Sequence, residues 1–214
     1  MIATAADNTQ FNRSRAGDVL NPPRLLGISG SLRKNSFCTA ILHTIAARAA
    51  ATVDLEIMPL TDIPLYNQDL DTDSPPPPVV ALREAIGSAT GLIIVTPEYN
   101  YGLPGVLKNA LDWASRPYGK SKLTGRVVLT LSASPAFTGG VRAQTQLNET
   151  LISNAAELVL RPQIVIGLVH EKVREGRLVD ESSLQFIAQG MADLVKAISL
   201  RSLVQTPAQT RSGS

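Results

Sequence analysis

The chain has 214 residues and a mass of 22.8 kDa, which suits one domain with short extensions and argues against two full domains. Hydrophobic residues make up 44% and charged residues 18%, enough to bury a sizeable core and to exclude disorder along the whole chain. The 20 Lys and Arg against 18 Asp and Glu leave a net charge of +2, too balanced for a dedicated nucleic-acid binder. One cysteine, Cys38, excludes an intrachain disulfide and a cysteine-built zinc site. The two histidines, His43 and His170, lie far apart in no ligand-spaced pattern, which speaks against a histidine-rich metal centre.

Residues 1–23 lack periodicity, lack the apolar segment of a secretory signal and end in Pro22-Pro23, so they read as a flexible N-terminal tail. Arg13, Ser14 and Arg15 hint at a transit peptide; Asp7 and Asp18 weigh against one. The first strand is the run Leu25-Leu26-Gly27-Ile28, followed by a helix with the stripe Phe37, Ile41, Leu42, Ile45 and Ala49. Val53 to Ile57 alternates, as an edge strand does. Ser74 to Pro78 holds four consecutive prolines and reads as an extended spacer into a helix over Val79 to Ala89.

The strand Leu92-Ile93-Ile94-Val95 comes next, then a helix from about Pro104. Val127 to Leu131 is a further strand, and Leu147, Leu151, Ala155 and Leu158 make a helical stripe. Ile164-Val165-Ile166 is the last strand. Asp180 to Ser183 caps a final helix through Leu184, Ile187, Met191, Leu194 and Ile198. Residues 205–214 read as a flexible C-terminal tail, leaving one domain over 24–204. Apolar runs such as Leu92 to Val95 are far shorter than the ~20 residues of a membrane span, so no membrane insertion is expected, and the single cysteine suits a cytoplasmic setting.

Strands that are apolar at every position, not at every second one, are covered on both faces. Four such strands and the alternating edge strand, interleaved with five helices, predict an α/β domain: a doubly wound, five-stranded parallel sheet with helices on both faces.

Two loops carry the functional signal. Gly27 to Phe37 leads from the first strand straight into a helix, whose start offers unpaired N–H groups and a positive dipole end for an anion. Ser29, Ser31 and Ser36 add hydroxyls, Arg33 adds a forked cation, and Gly30 permits a sharp turn. Neither the dinucleotide spacing Gly-x-Gly-x-x-Gly nor the triphosphate loop Gly-x-x-x-x-Gly-Lys-Ser/Thr is present, so a phosphomonoester suits the loop better. Ser and Gly forming an ordinary turn and cap is the competing reading. The second loop, Thr96 to Gly105, holds two of the four tyrosines. In sheets of order 2-1-3-4-5, ligands bind beyond the carboxyl ends of the first and third strands, and these two loops follow those strands.

The segments GISGSLRKNSF and PEYNYGLPGVLKNALDWASRP resemble the NADPH-dependent FMN reductase family, the flavodoxin-like group that includes soluble quinone and chromate reductases. The likeness runs from about Arg24 to about Leu200 and implies the strand order 2-1-3-4-5. It also implies that Ser31, Arg33, Ser36, Phe37 and Cys38 surround the phosphate of FMN. Close relatives carry asparagine where Cys38 stands, and a buried structural thiol is favoured over a redox role. The resemblance further implies that Pro97, Glu98, Tyr99, Asn100 and Tyr101 border the flavin ring, with Ser132 opening a third loop that runs to Gly140.

The implied chemistry is two-electron, ping-pong hydride transfer from NADPH (NADH being possible) through FMN to a small acceptor: a quinone, a flavin, an azo compound or a metal oxyanion such as chromate. No side-chain acid or base is assigned; Glu98 is expected to anchor a loop or meet a partner subunit. Leu103, Val106, Leu107, Ala110, Leu111, Trp113 and Ala114 make the 104–115 helix apolar around most of its circumference, which predicts a homodimer or homotetramer through it. The alternatives are a flavodoxin-type electron carrier without its own NAD(P)H oxidation, which the basic pI of about 8.8 disfavours, and a phosphate-binding module that has lost its flavin.

Overall fold

The computed structural model describes residues 22–205; the N-terminal tail up to residue 21 and residues 206–214 lie outside them. Strands β1 (Arg24–Ser29), β2 (Asp54–Met58), β3 (Gly91–Thr96) and β4 (Val127–Ala133) form a parallel sheet. The fifth position is divided between β5 (Glu157–Leu158) and β6 (Ile164–Ile166), both paired with β4. The spatial order is β2-β1-β3-β4-β5, the predicted one. β2 pairs only with β1 and is half exposed, whereas every residue of β3 is buried, as their alternating and continuous apolar patterns require.

Alternation of side chains along each strand builds two cores. Leu25, Ile93, Val95, Leu129 and Leu131 pack beneath α1 (Phe37–Ala49) and α6 (Glu181–Gln205). Leu26, Ile28, Leu92, Ile94 and Val128 pack beneath α2 (Pro77–Ser88), α3 (Gly105–Ala114) and α4 (Val141–Ser153). A short α5 (Val169–Lys172) precedes α6.

Three local readings need correction. First, α2 begins inside the proline run: Pro76 is its N-cap and Val79 N–H reaches the Pro76 carbonyl at 2.8 Å. Proline costs a first turn nothing, because those N–H groups have no helical partner anyway. Second, the stripe through Ala155 and Leu158 is not one helix. α4 stops at Ser153, Ala155 turns left-handed (φ 55), and Leu158 belongs to β5. Alanine fills the position where a helix stop usually shows glycine, so the sequence carried no mark of it. Third, a hairpin of β7 (Val173–Arg174) and β8 (Arg177–Leu178), turning on Glu175 and Gly176, escaped notice. Its Leu178 N–H donates to Thr44 Oγ1 of α1 at 3.0 Å.

Much of the apolar circumference of α3 is covered within one chain. Trp113, Leu111 and Ala114 are fully buried against α2, and the 60–66 segment wraps the remaining side. Trp113 Nε1 and Asn109 Nδ2 both donate to the Pro64 carbonyl at 2.8 Å, and the Tyr66 ring meets Trp113 edge-on. The outward side carries the Lys108–Asp112 ion pair. Leu103 and Val106, also on this apolar circumference, are only partly buried within the chain.

Candidate active site

β1 and β3 are neighbours, and the chain leaves them toward opposite sides of the sheet, so their carboxyl ends open a crevice. Gly30 brings the two departing loops together: its N–H donates to the Val95 carbonyl at 2.8 Å. A Cβ on Gly30 would lie 3.0 Å from Pro97 Cδ and 3.0 Å from Leu107 Cδ2. Close approach, not a left-handed turn, is what glycine permits there.

The first loop organises itself. Ser36 caps α1, its hydroxyl accepting the Thr39 N–H at 3.3 Å, and Ser31 Oγ accepts the Arg33 N–H at 3.4 Å. The Arg33 guanidinium donates to the Asn35 carbonyl at 2.9 Å and lies 5.1 Å over the Phe37 ring. The first N–H groups of α1 have no partner within their own helix. Hydroxyls, a guanidinium and a helix start thus converge within seven residues.

Ser31, Arg33, Ser36, Phe37 and Cys38 line one cleft of about 210 Å³ together with Pro97, Glu98 and Tyr99 from the second loop. Ala133, Ser134 and Pro135 complete it from the end of β4. Asn100, Tyr101 and Ser132 are not among its walls. Ser132 is fully buried and turns inward, donating to Gln144 Oε1 of α4 at 3.1 Å. Alternation along β4 puts Ala133, not the expected Ser132, among the walls of this cleft. Ser134 is held by its N–H to the Ile166 carbonyl and by its hydroxyl, which accepts the Ala136 N–H.

In the second loop Asn100 and Tyr101 both adopt positive φ, 50° and 64°, within a tight turn closed by hydrogen bonds between Tyr99 and Gly102. Tyr99 and Tyr101 are largely exposed. Glu98 points away from solvent toward α4, where its Oε2 accepts the N–H groups of Arg142 (3.0 Å) and Ala143 (3.2 Å). A larger apolar groove of about 540 Å³ lies between α1 and α6, lined by Ile45, Val53 and Met191 among others, but away from this crevice.

Residues 23–171 match the profile described as NADPH-dependent FMN reductase. The chain belongs to that family. It is 37% identical over 172 residues to an NAD(P)H-dependent FMN reductase of Pseudomonas aeruginosa, covering 80% of this chain and 92% of the relative. It is also 37% identical over 168 residues to a quinone reductase of Escherichia coli, covering 77% and 89%. Among solved structures it superposes on the flavoenzyme NAD(P)H:(acceptor) oxidoreductase FerB of Paracoccus denitrificans with a TM-score of 0.74, 28% identity and coverage of 83% and 97%.

In this reductase Cys38 is buried and its thiol is pushed up to about 12, chiefly by desolvation, so it stays protonated at neutral pH. That supports a packed role for it. Among the described residues of the reductase no cluster of three or more metal-ligating side chains occurs, and no helix is long and apolar enough to cross a membrane.

Proposed function

We propose that the protein is an FMN-dependent NAD(P)H oxidoreductase that passes two electrons from NADPH to a small acceptor such as a quinone, a free flavin, an azo compound or a metal oxyanion. The observation that carries this reading is the convergence of Ser31, Arg33 and Ser36 with the start of α1, facing the 97–99 and 133–135 segments across one cleft. FMN, when bound, supplies the hydride-accepting and hydride-returning chemistry. The chain's own residues have simpler tasks. Arg33 and the hydroxyls of Ser31 and Ser36 hold a dianionic phosphomonoester, assisted by the positive end of α1. Pro97, Tyr99 and Pro135 confine a flat ring at the crest of the sheet and exclude water from one side of it.

Asn100 and Tyr101 act behind this wall, shaping the turn that presents Tyr99. Both donor and acceptor use the remaining open side in turn, which gives ping-pong kinetics. A cytoplasmic setting fits, and the homodimer or homotetramer that the family resemblance implies is tested by sedimentation. The family match and the basic pI favour an enzyme over a flavodoxin-type carrier.

The test is to purify the protein, identify the released chromophore by mass, and titrate it anaerobically with NADPH and NADH. A yellow protein carrying FMN that bleaches with either nucleotide is expected. A colourless protein that cannot be reconstituted with FMN sinks the reading; a yellow protein that does not bleach returns it to the carrier class.

A further inference from the structure

We infer that Glu98 is a positioning residue: its carboxylate replaces the missing cap of α4 and thereby locks the second and third loops of the cleft into one unit. This rests on the function proposed above, in which both loops border the flavin ring.

α4 starts at Gly140, which is left-handed (φ 89) and has no side chain to cap the helix. An uncapped helix start is costly when partly buried, because its first N–H groups are left without acceptors. Glu98 supplies the acceptor from 44 residues away in the chain, taking the Arg142 and Ala143 N–H groups on a single oxygen. Its side chain is 9% exposed. The φ of 89° at Gly140 favours glycine, and a Cβ there would sit 3.3 Å from Ser132 Cβ and 3.4 Å from Glu98 Cβ.

Two further ties run between the same elements. The Arg142 guanidinium lies 4.4 Å over the Tyr101 ring and 3.8 Å from the other oxygen of Glu98. Gln146 Oε1, one helical turn on, accepts the Leu103 N–H at 2.8 Å. Between these ties lies the least comfortable backbone of the site. Asn100 and Tyr101 occupy consecutive left-handed conformations, and tyrosine has no intrinsic preference for one. Such a turn persists where its surroundings over-determine it, and here the surroundings are the first two turns of α4. Displacing α4 therefore displaces Tyr99, and with it one wall of the cleft.

The test uses the apoprotein, so that it stands apart from catalysis. Hydrogen exchange is followed at the amides of Arg142 and Ala143, which Glu98 caps, and of Tyr99 and Gly102, which close the turn. Glu98→Met keeps the methylenes and removes both acceptor oxygens; Glu98→Gln keeps one. Exchange at all four amides is expected to accelerate about 5- to 30-fold in Glu98→Met and to return close to wild type in Glu98→Gln. The affinity for FMN should fall in the same order. Acceleration confined to Arg142 and Ala143 would show a simple cap with no grip on the turn and overturn the inference, as would equal behaviour of the two variants. Arg142→Ala, which deletes a half-exposed side chain, provides a second reading should Glu98→Met not fold. It must speed exchange at Tyr99 and Gly102 by a smaller factor, and no change there also overturns the coupling. Wild type that exchanges as expected but binds no FMN would instead refute the flavin reading and leave the coupling intact.

Discussion

The first and second loops of the cleft face each other, yet they are held by different means. The first, between β1 and α1, makes its own contacts: Ser36 caps the helix that it begins, Ser31 accepts from Arg33 two residues on, and Arg33 folds over Phe37. The second, after β3, makes one tight turn and draws its remaining support from α4, more than forty residues later in the chain. A locally satisfied loop survives changes elsewhere in the fold. A loop satisfied at long range moves with whatever holds it. If, as proposed, one loop binds the phosphate and the other borders the ring, that division gives one rigid side and one adjustable side.

The contrast can be broken, from the largest effect to the smallest. At the rigid side the Cys38 thiol, raised to about 12 by burial, should alkylate with iodoacetamide at pH 8 about a thousandfold more slowly in the folded protein than in denaturant. Rapid labelling of the native chain would mean that the first loop opens. Arg33→Ala should weaken FMN binding about 10- to 100-fold, the loss expected for a charged hydrogen-bond donor to phosphate, while the melting temperature stays within a few degrees. Fluorescence titration of the apoprotein measures it, and the Tyr99 and Gly102 amides should exchange as in wild type.

Ser36→Ala removes the cap of α1 and should cost about 1 kcal/mol in urea unfolding, again without loosening the second loop. Loosening of that loop by either substitution would erase the distinction between the two sides. Asp180 serves as the remote control. Its carboxylate accepts the Ser183 N–H at 2.9 Å and the Ser183 hydroxyl at 2.6 Å at the start of α6, and these bonds lower its pKa. A carboxyl with a depressed folded-state pKa stabilises the fold fully above its unfolded pKa and loses that contribution as the pH falls through the folded value. Asp180→Asn should therefore cost a few tenths of a kcal/mol, about 0.3–1, near neutrality and nothing in acid, with neither loop affected.

The first loop was legible because its parts lie side by side: Ser31, Arg33, Ser36, Phe37 and Cys38 meet in the cleft as read. Pro97, Glu98 and Tyr99 were found through a resemblance spanning one continuous segment. The inward turn of the Ser132 side chain was not legible, because a strand's two sides are chosen by what packs on them, here Gln144 on α4. Ser134 and Pro135 lay two and three residues beyond Ser132, inside the segment already singled out. The end of α4 was missed because Ala155 occupies a left-handed position without announcing it, and the cover that α2 and the 60–66 segment give to Leu111, Trp113 and Ala114 of α3 leaves no trace in the local sequence.

Apolar runs and helical stripes determined the class of the fold by themselves, since burial on two faces or one is written in the spacing of neighbouring residues. The phosphate-cradling character of Gly27 to Phe37 was written in the same way, because its contacts span only a few residues. The partner of Glu98, the side of β4 that meets the cleft and the covering of α3 were decided by the tertiary structure alone. Each is a contact between segments far apart in the chain, and distance in the chain carries no record of which acceptor reaches which N–H group until the sheet has brought them together.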